Sequence, residues 1–332
     1  MEKILSISVA AYNLEPWIDI CLKSFCQCQY LEFLEIIIVD DGSTDRTAQL
    51  AKEYVKRYPN SFKLIQKKDE GYGSTINAAL KIAQGKYFKT IDGDDWVDPI
   101  AMDDLVVQLK HTKADVVINN YRQIFPNGDR LIDLHGKQKY GKVYFFRQLK
   151  GHYGYAMHGL TIRLSTYKKY ALPISENRCW VDTEYVFWAI VATQTIMFLE
   201  PCVYQYRLGR PGQASIDGVY AHLEDIIRLN KNLIRMLKYA KQFPLDEEKK
   251  TYLTWFIKMQ YRFAIACFAA VEQRDKDQLL RKFILDMKEK YSEYISMNSL
   301  GVYIIVYLPW PIGIYILRKL KKMKIHLTGR NF

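Results

Sequence analysis

The chain has 332 residues, 49% of them hydrophobic, and a formal net charge of +12. A chain of this length can bury one large core or two modest ones. Its six cysteines show no paired spacing, which excludes a small disulfide-stapled fold and indicates reduced thiols. The apolar segment after Lys3 is too short for a signal-peptide core. We therefore expect a cytoplasmic protein whose basic excess favours anionic partners.

Short β-branched segments alternate with amphipathic segments from residue 4 to about residue 120. This alternation predicts an α/β fold in which helices cover a mostly parallel sheet. The predicted strands are residues 4–10, 34–40, 62–66, 86–91 and 115–119. The predicted helices are residues 16–28, 44–58, 74–83 and 99–110. The first third of the chain is therefore expected to be a nucleotide-binding half.

The periodicity loosens after residue 120, where Asn127 and Gly128 predict a turn between two strands. Apolar residues three and four apart then predict two helices, residues 223–243 and 252–271. We predict three regions. They are a catalytic domain over residues 1–218, with halves 1–120 and 121–218, a helical region over 219–295 and a terminal segment over 296–332.

The terminal segment is apolar and then basic. No charged residue occurs from Tyr294 to Leu317, and five basic residues follow by position 324. Pro309 and Pro311 interrupt the apolar part, which favours a re-entrant or surface-lying hairpin at the inner face of the membrane. The alternative is that this segment is a buried, dimer-forming helix pair. The helical region over 219–295 offers a further surface for oligomerisation.

Acidic residues follow two of the predicted strands, Asp40 and Asp41 after the second and Asp92 to Asp95 after the fourth. Ligands of open α/β sheets bind outside these carboxyl ends, so distant parts of the chain converge there. Carboxylates beside a diphosphate require a divalent cation between them, and oxygen ligands suit Mn²⁺ or Mg²⁺. The alternative is that these aspartates only cap the helices that follow.

Four motifs share one order and spacing with a known family. They are SVAAYN (8–13), IIVDDGSTD (37–45), GYG with NAAL (71–73 and 77–80) and IDGDDW (91–96). Together they resemble glycosyltransferase family 2, which has the GT-A fold, and the match covers about residues 4–217. The sequence departs from the common pattern at Ala10 and Ala11, where Ile-Pro is usual, and at Ile76, where arginine is frequent.

The resemblance implies a role for each matching residue. Tyr12 and Asp40 hold the nucleobase, Asp92 approaches the ribose, and Asp94 is the principal metal ligand, assisted by Asp92. The expected nucleotide-binding residues are Ala11, Tyr12, Asn13, Asp40, Asp41, Gly71, Asn77, Asp92 and Gly93.

The segment WVDTE (180–184) resembles the acidic motif that carries the catalytic base of this family. Asp182 matches the base, and Trp180 and Glu184 are expected to contact the acceptor. A single base beside the acceptor hydroxyl suffices for in-line attack with inversion. The alternative is a helix N-terminus with Asp182 as N-cap and Glu184 favouring the helix dipole.

Residues 204–213 resemble the family segment that closes over the donor. Arg207 or Arg210 would grip the diphosphate, with Gln213 nearby, because the guanidinium fork matches phosphate oxygens. A structural turn around Gly209 and Gly212 is the alternative.

The sequence thus predicts an inverting, metal-dependent glycosyltransferase of the hexosyltransferase type. It would use a nucleotide diphosphate sugar, taken as a UDP-sugar, and a saccharide or lipid-linked acceptor in capsule-type cell-surface polysaccharide synthesis. The alternative is an inactive nucleotide-sugar-binding scaffold, although Asp94 and Asp182 are both present. A nucleotidyltransferase is disfavoured because residues 10–13 lack a glycine-rich triphosphate loop. The basic residues lack an interleaved aromatic motif, so no nucleic-acid partner is expected.

Overall fold

The computed structural model describes residues 2–149, 155–210, 222–269 and 274–294. The chain divides into two compact units, Met1–Pro211 and Gly212–Phe332. The predicted boundary at residue 218 lies outside the described residues, as do Gln213 and the terminal segment 296–332.

The first unit contains ten strands and six helices among its described residues. The strands are β1 (Leu5–Ala11), β2 (Leu34–Asp40), β3 (Phe62–Gln66), β4 (Tyr87–Asp92), β5 (Trp96–Val97), β6 (Val116–Phe125), β7 (Gly128–Ile132), β8 (Val143–Phe145), β9 (Leu160–Arg163) and β10 (Thr195–Arg207). The helices are α1 (Ile18–Cys26), α2 (Thr47–Arg57), α3 (Tyr72–Ile82), α4 (Pro99–His111), α5 (Leu164–Tyr170) and α6 (Asp182–Ala192).

All ten strands form one sheet with the order β3-β2-β1-β4-β9-β6-β10-β5, while β7 pairs with β6 and β8 with β10. Strands β3, β2, β1 and β4 are parallel, and β6 is parallel to β10. Strand β9 runs antiparallel between β4 and β6. The α/β prediction is confirmed, and the sheet is mixed because β9 joins two parallel sets.

The central strands are those with continuous apolar sequence. Every residue of β2 is buried, as expected for a parallel strand covered on both faces. Its predicted bounds and those of β3 match the structure, and the bounds of β1 and β4 differ by one residue. The fifth predicted strand was too short, because β6 continues to Phe125 and turns through Asn127 into β7. The predicted turn is confirmed, and Gly128 has φ of 138° there.

The second unit contains three helices among its described residues, α7 (Leu223–Ala240), α8 (Glu247–Ala269) and α9 (Arg274–Lys290). Helix α7 buries one apolar face, which packs on α8. Both predicted helices are confirmed in type, but α7 ends three residues before the predicted bound and α8 begins five residues earlier. Among the described residues, no helix combines the length and the apolar character that crossing a membrane requires.

Candidate active site

The acidic motifs meet because three strands end side by side. Strand β1 lies between β2 and β4, and its register pairs Ala11 with Asp40 and Ala10 with Asp92. Gly93 follows at once, and a Cβ at this position would lie 2.7 Å from the carbonyl oxygen of Ala10. Glycine therefore lets the chain after β4 pass close to β1 at this edge.

The loops after β1 and β2 are tied together by Asn13. Its backbone has φ of 51°, a left-handed conformation that asparagine tolerates. The side-chain oxygen of Asn13 accepts a hydrogen bond from the backbone amide of Thr44 at 2.8 Å. The backbone amide of Asn13 donates to Ser43 Oγ at 2.9 Å. Tyr12, beside it, is 49% exposed, so its ring can stack on a ligand. Asp40, at the end of β2, is buried, and its Oδ1 accepts a hydrogen bond from the backbone amide of Ser43 at 3.3 Å.

Asp41 organises the other side of the same edge. Its Oδ1 is 2.7 Å from Lys67 Nζ and accepts a hydrogen bond from the amide of Glu70 at 3.1 Å. Lys67 Nζ also donates to the hydroxyl of Ser74, in the first turn of α3, at 3.0 Å, and that hydroxyl donates to the carbonyl of Gly71 at 2.6 Å. Asp41 thus connects the end of β2 to α3 through Lys67. The motif comparison did not identify Lys67, because it lies outside the four motifs.

Three carboxylates gather after β4. One oxygen each from Asp92, Asp94 and Asp95 lies within 4.8 Å of the other two. The hydroxyl of Tyr204, on β10, donates to Asp95 at 2.7 Å and lies 3.1 Å from Asp92 Oδ2. Among the described residues, Asp92 Oδ1 is buried and has no hydrogen-bond partner. A buried carboxylate oxygen in this state is suited to bind a cation.

The raised pKa values in this cluster also indicate a cation site. Burial raises the pKa of Asp92 to about 7, and the charge of Asp94 contributes. Burial also raises the pKa of Asp95 to about 9, with Asp92 and Asp94 adding to the effect. Like charges this close disfavour full ionisation unless a cation is added. The residues therefore fit Mg²⁺ or Mn²⁺, and Asp95 joins the predicted pair Asp92 and Asp94.

The two candidate arginines have different surroundings. The Arg207 guanidinium lies between the rings of Trp17 and Trp96, 4.5 and 4.6 Å from their centroids, and its Nε donates to the carbonyl of Asp94 at 2.9 Å. The backbone amide of Arg207 donates to Asp95 at 2.7 Å. Arg207 thus holds the turn formed by Asp94 and Asp95 through two hydrogen bonds. Arg210 instead forms an ion pair with the carboxylate of Asp94, with 2.5 Å between Nε and Oδ2.

Asp182 follows Asp92 by 90 positions and is partly buried at the start of α6. Burial raises the pKa of Asp182, and the charge of Glu184 raises it further. After burial and Asp94, the charge of Asp182 also contributes to the raised pKa of Asp92, so the two carboxyls are within electrostatic reach. Asp182 begins α6 but is not its N-cap, because Val181 occupies that position. The N-cap interpretation was therefore wrong.

Two of the remaining predicted residues, Glu184 and Asn77, form hydrogen bonds within the protein. Trp180 has φ of 67°, a conformation rare for a large side chain. Glu184 is buried, and its Oε2 accepts a hydrogen bond from the amide of Ser175 at 2.9 Å. The side-chain nitrogen of Asn77 donates to the carbonyl of Ile174 at 2.8 Å. Gly71, the N-cap of α3, has φ of 80°, and Ala11 is buried at the end of β1.

Carboxylates gathered at the ends of parallel strands of an α/β sheet are the arrangement expected of the GT-A fold. The family model named glycosyl transferase family 2 matches residues 6–170. Residues 6–170 therefore belong to glycosyltransferase family 2.

Relatives support this assignment. EpsH of Bacillus subtilis is 37% identical over 139 residues, which are 41% of this chain and 39% of EpsH. EpsJ of the same organism is 35% identical over 117 residues, 35% of this chain and 33% of EpsJ. These alignments therefore span about two fifths or less of either relative. A structure of S. aureus TarS 1–349 in complex with UDP-GlcNAc shares the fold. Its TM-score is 0.71 at 18% identity, covering 98% of this chain and 92% of that chain.

Proposed function

We propose that this family member transfers a sugar from a UDP-sugar to a saccharide or lipid-linked saccharide acceptor, with inversion at the anomeric carbon. The observation that carries the proposal is the cluster of Asp92, Asp94 and Asp95 at the end of β4, with Asp182 within electrostatic reach of Asp92. A cation-binding cluster for the diphosphate and a separate carboxylate base for the acceptor hydroxyl are the two parts that metal-dependent inverting transfer uses.

The nucleotide-sugar donor would bind at the carboxyl ends of β1, β2 and β4. Tyr12 would stack on the nucleobase above Asp40, and Asp92 and Asp94 would hold Mn²⁺ or Mg²⁺ against the diphosphate. The bound cation would neutralise charge that builds up on the leaving nucleotide. The choice of a UDP-sugar follows the donor in the TarS complex, a protein of the same fold.

At the acceptor side, Asp182 would remove the proton of the attacking hydroxyl group. The acceptor hydroxyl oxygen bonds to the anomeric carbon as the bond from that carbon to the diphosphate oxygen breaks. The hydroxyl proton passes to the carboxylate of Asp182, and the electron pair of the broken bond leaves with the nucleotide diphosphate. Burial raises the pKa of Asp182, which makes its carboxylate a stronger base toward the hydroxyl proton.

A role at the inner face of the membrane, in cell-surface polysaccharide synthesis of the capsule type, is proposed from charge and sequence pattern. The chain carries a net charge of +12, and its end is apolar and then basic. Such a segment is attracted to anionic lipids and would bring the enzyme to a lipid-linked acceptor.

Two isosteric substitutions test whether Asp94 binds the metal and Asp182 acts as the base. Asp94→Asn removes a charged ligand, so Mn²⁺-supported donor binding, transfer and donor hydrolysis should all fall. Asp182→Asn should keep donor affinity near normal in calorimetry, while turnover falls roughly a hundredfold to ten-thousandfold, as for loss of a general base. Asp104→Asn is a matched control, because Asp104 is exposed on α4.

The outcomes separate the alternatives. Near-normal transfer by Asp182→Asn would show that another group accepts the proton. Loss of donor binding in Asp182→Asn as severe as in Asp94→Asn would assign Asp182 to the donor site or to the fold. Donor binding by the unmodified protein without hydrolysis or transfer would identify a nucleotide-sugar-binding scaffold.

A further inference from the structure

A short loop before α6, residues 174–177, is bonded to two different helices. We call it the 174–177 loop. It follows α5 and leads through Trp180 into Asp182. Its contacts involve Asn77 on α3 and Glu184 on α6, two residues that the sequence pattern assigned to the nucleotide and to the acceptor.

On one side the loop is held by the side-chain amide of Asn77. Its nitrogen donates to the carbonyl of Ile174 at 2.8 Å and to Glu176 Oε1 at 3.0 Å. Its oxygen accepts from the amide of Ile174 at 2.9 Å. Both N–H donors of Asn77 are therefore used within the protein, which leaves none for a nucleotide.

Two glycines allow the loop to lie this close to α3. A Cβ at Gly73 would stand 2.0 Å from the carbonyl oxygen of Ser175, a distance that no side chain can occupy. A Cβ at Gly71 would lie 3.3 Å from the backbone nitrogen of Asn177. That nitrogen donates to the carbonyl of Glu70 at 2.6 Å. The GYG motif thus serves backbone packing at this contact.

On the other side the loop is held by Glu184. The amide of Ser175 donates to Glu184 Oε2 at 2.9 Å, and Glu184 is 2% exposed. Glu184 lies in the first turn of α6, two positions after Asp182, so this bond fixes the start of that helix. The loop therefore connects α3 to the helix turn that carries Asp182.

Helix α3 is in turn connected to the donor side of the site. Lys67 pairs with Asp41, which follows β2, and its Nζ donates to the hydroxyl of Ser74 at 3.0 Å. A continuous series of hydrogen bonds therefore runs from Asp41 through Lys67, α3 and the 174–177 loop to α6. Each bond in the series joins atoms that are buried or partly buried, where a lost partner is costly.

We propose that Asn77 and Glu184 are positioning residues that hold Asp182 at a set distance from the donor site, rather than contacts to nucleotide and acceptor. This inference rests on the proposed role of Asp182 as the base. Because in-line attack is sensitive to placement, a shift of about 1 Å can cost roughly a hundredfold in rate.

Substitution of Asn77 tests the α3 side. Asn77→Ala should lower kcat for transfer by about tenfold to a hundredfold, while the donor Kd stays within about twofold. Asn60→Ala is a matched control, because Asn60 is exposed in the turn before β3. A donor Kd weakened about as much as kcat would instead make Asn77 a nucleotide contact and overturn the inference.

Substitution of Glu184 tests the α6 side independently, even if Asn77→Ala does not fold. Glu184→Ala should lower kcat in the same way, and Glu184→Gln should rescue most of it, because its amide oxygen still accepts from Ser175. A rise in acceptor KM for Glu184→Gln, equal to that of Glu184→Ala, would mean that the charge contacts the acceptor. That result would contradict the positioning role.

A double variant shows whether Asn77 acts through Asp182. If it does, Asn77→Ala combined with Asp182→Asn should be no slower than Asp182→Asn alone. Multiplied losses would overturn the inference and leave the base assignment standing. Normal transfer by Asp182→Asn alone would instead refute the proposed function.

Discussion

The ion pair between Arg210 and Asp94 predicts a competition that can be measured. Arg210 donates to the carboxylate that we propose as the principal metal ligand, so its guanidinium stands where a cation would bind. Arg210→Ala removes this competitor. Metal affinity in the absence of donor should therefore rise, even though a residue of the site has been deleted.

The size of the effect follows from the burial of the pair. The two side chains are 20% and 11% exposed, so solvent screens the contact only in part. A hydrogen bond to a charged group contributes about 1.5–3 kcal/mol net, and partial exposure reduces this to about 1–2 kcal/mol. That free energy corresponds to a factor of about 5–30 in the Kd for Mn²⁺.

The assay is calorimetric titration of Mn²⁺ into the donor-free protein, followed by measurement of turnover. We expect tighter Mn²⁺ binding in Arg210→Ala but slower transfer, by about a hundredfold if Arg210 meets the leaving diphosphate. Arg122→Ala is the matched control, because Arg122 pairs with Asp129 at the same 2.5 Å on an exposed hairpin. Unchanged or weaker Mn²⁺ binding in Arg210→Ala would refute the competition.

Two further expectations concern pH and membranes. The raised pKa values of Asp92 and Asp95, about 7 and about 9 against 3.8 for free aspartate, mean that the folded protein holds protons that the unfolded chain has lost. The metal-free protein should therefore lose stability as pH rises from about 4 through 9, and the gain in Tm from Mg²⁺ should grow over the same window. An equal gain in Tm at pH 5 and pH 8.5 would argue against metal binding at these carboxyls. The full chain should float with anionic liposomes, and a chain ending at residue 295 should not. If the shortened chain floats equally, the amphipathic helix α7 is the next candidate for the membrane contact.

The local sequence pattern by itself predicts the strands that carry the proposed donor site. The run from Leu34 to Asp40 is apolar up to its last residue apart from Glu35, and the whole run forms the buried strand β2. Because parallel strands end at one edge, the acidic groups after β2 and β4 had to meet once the strands were recognised. The sequence also predicts the turn at Gly128, because Asn-Gly is strongly preferred in two-residue hairpin turns.

The roles of individual polar side chains required the fold. Asn77 and Ile174 are 97 positions apart, and Tyr204 and Asp92 are 112 apart. The same holds for the arginines, because Arg207 enters a space between Trp17 and Trp96 that no local pattern encodes. Periodicity specifies which face of a strand or helix is apolar. The partner of a buried donor or acceptor depends instead on which distant strands pair and in which register, and only the folded chain settles that pairing.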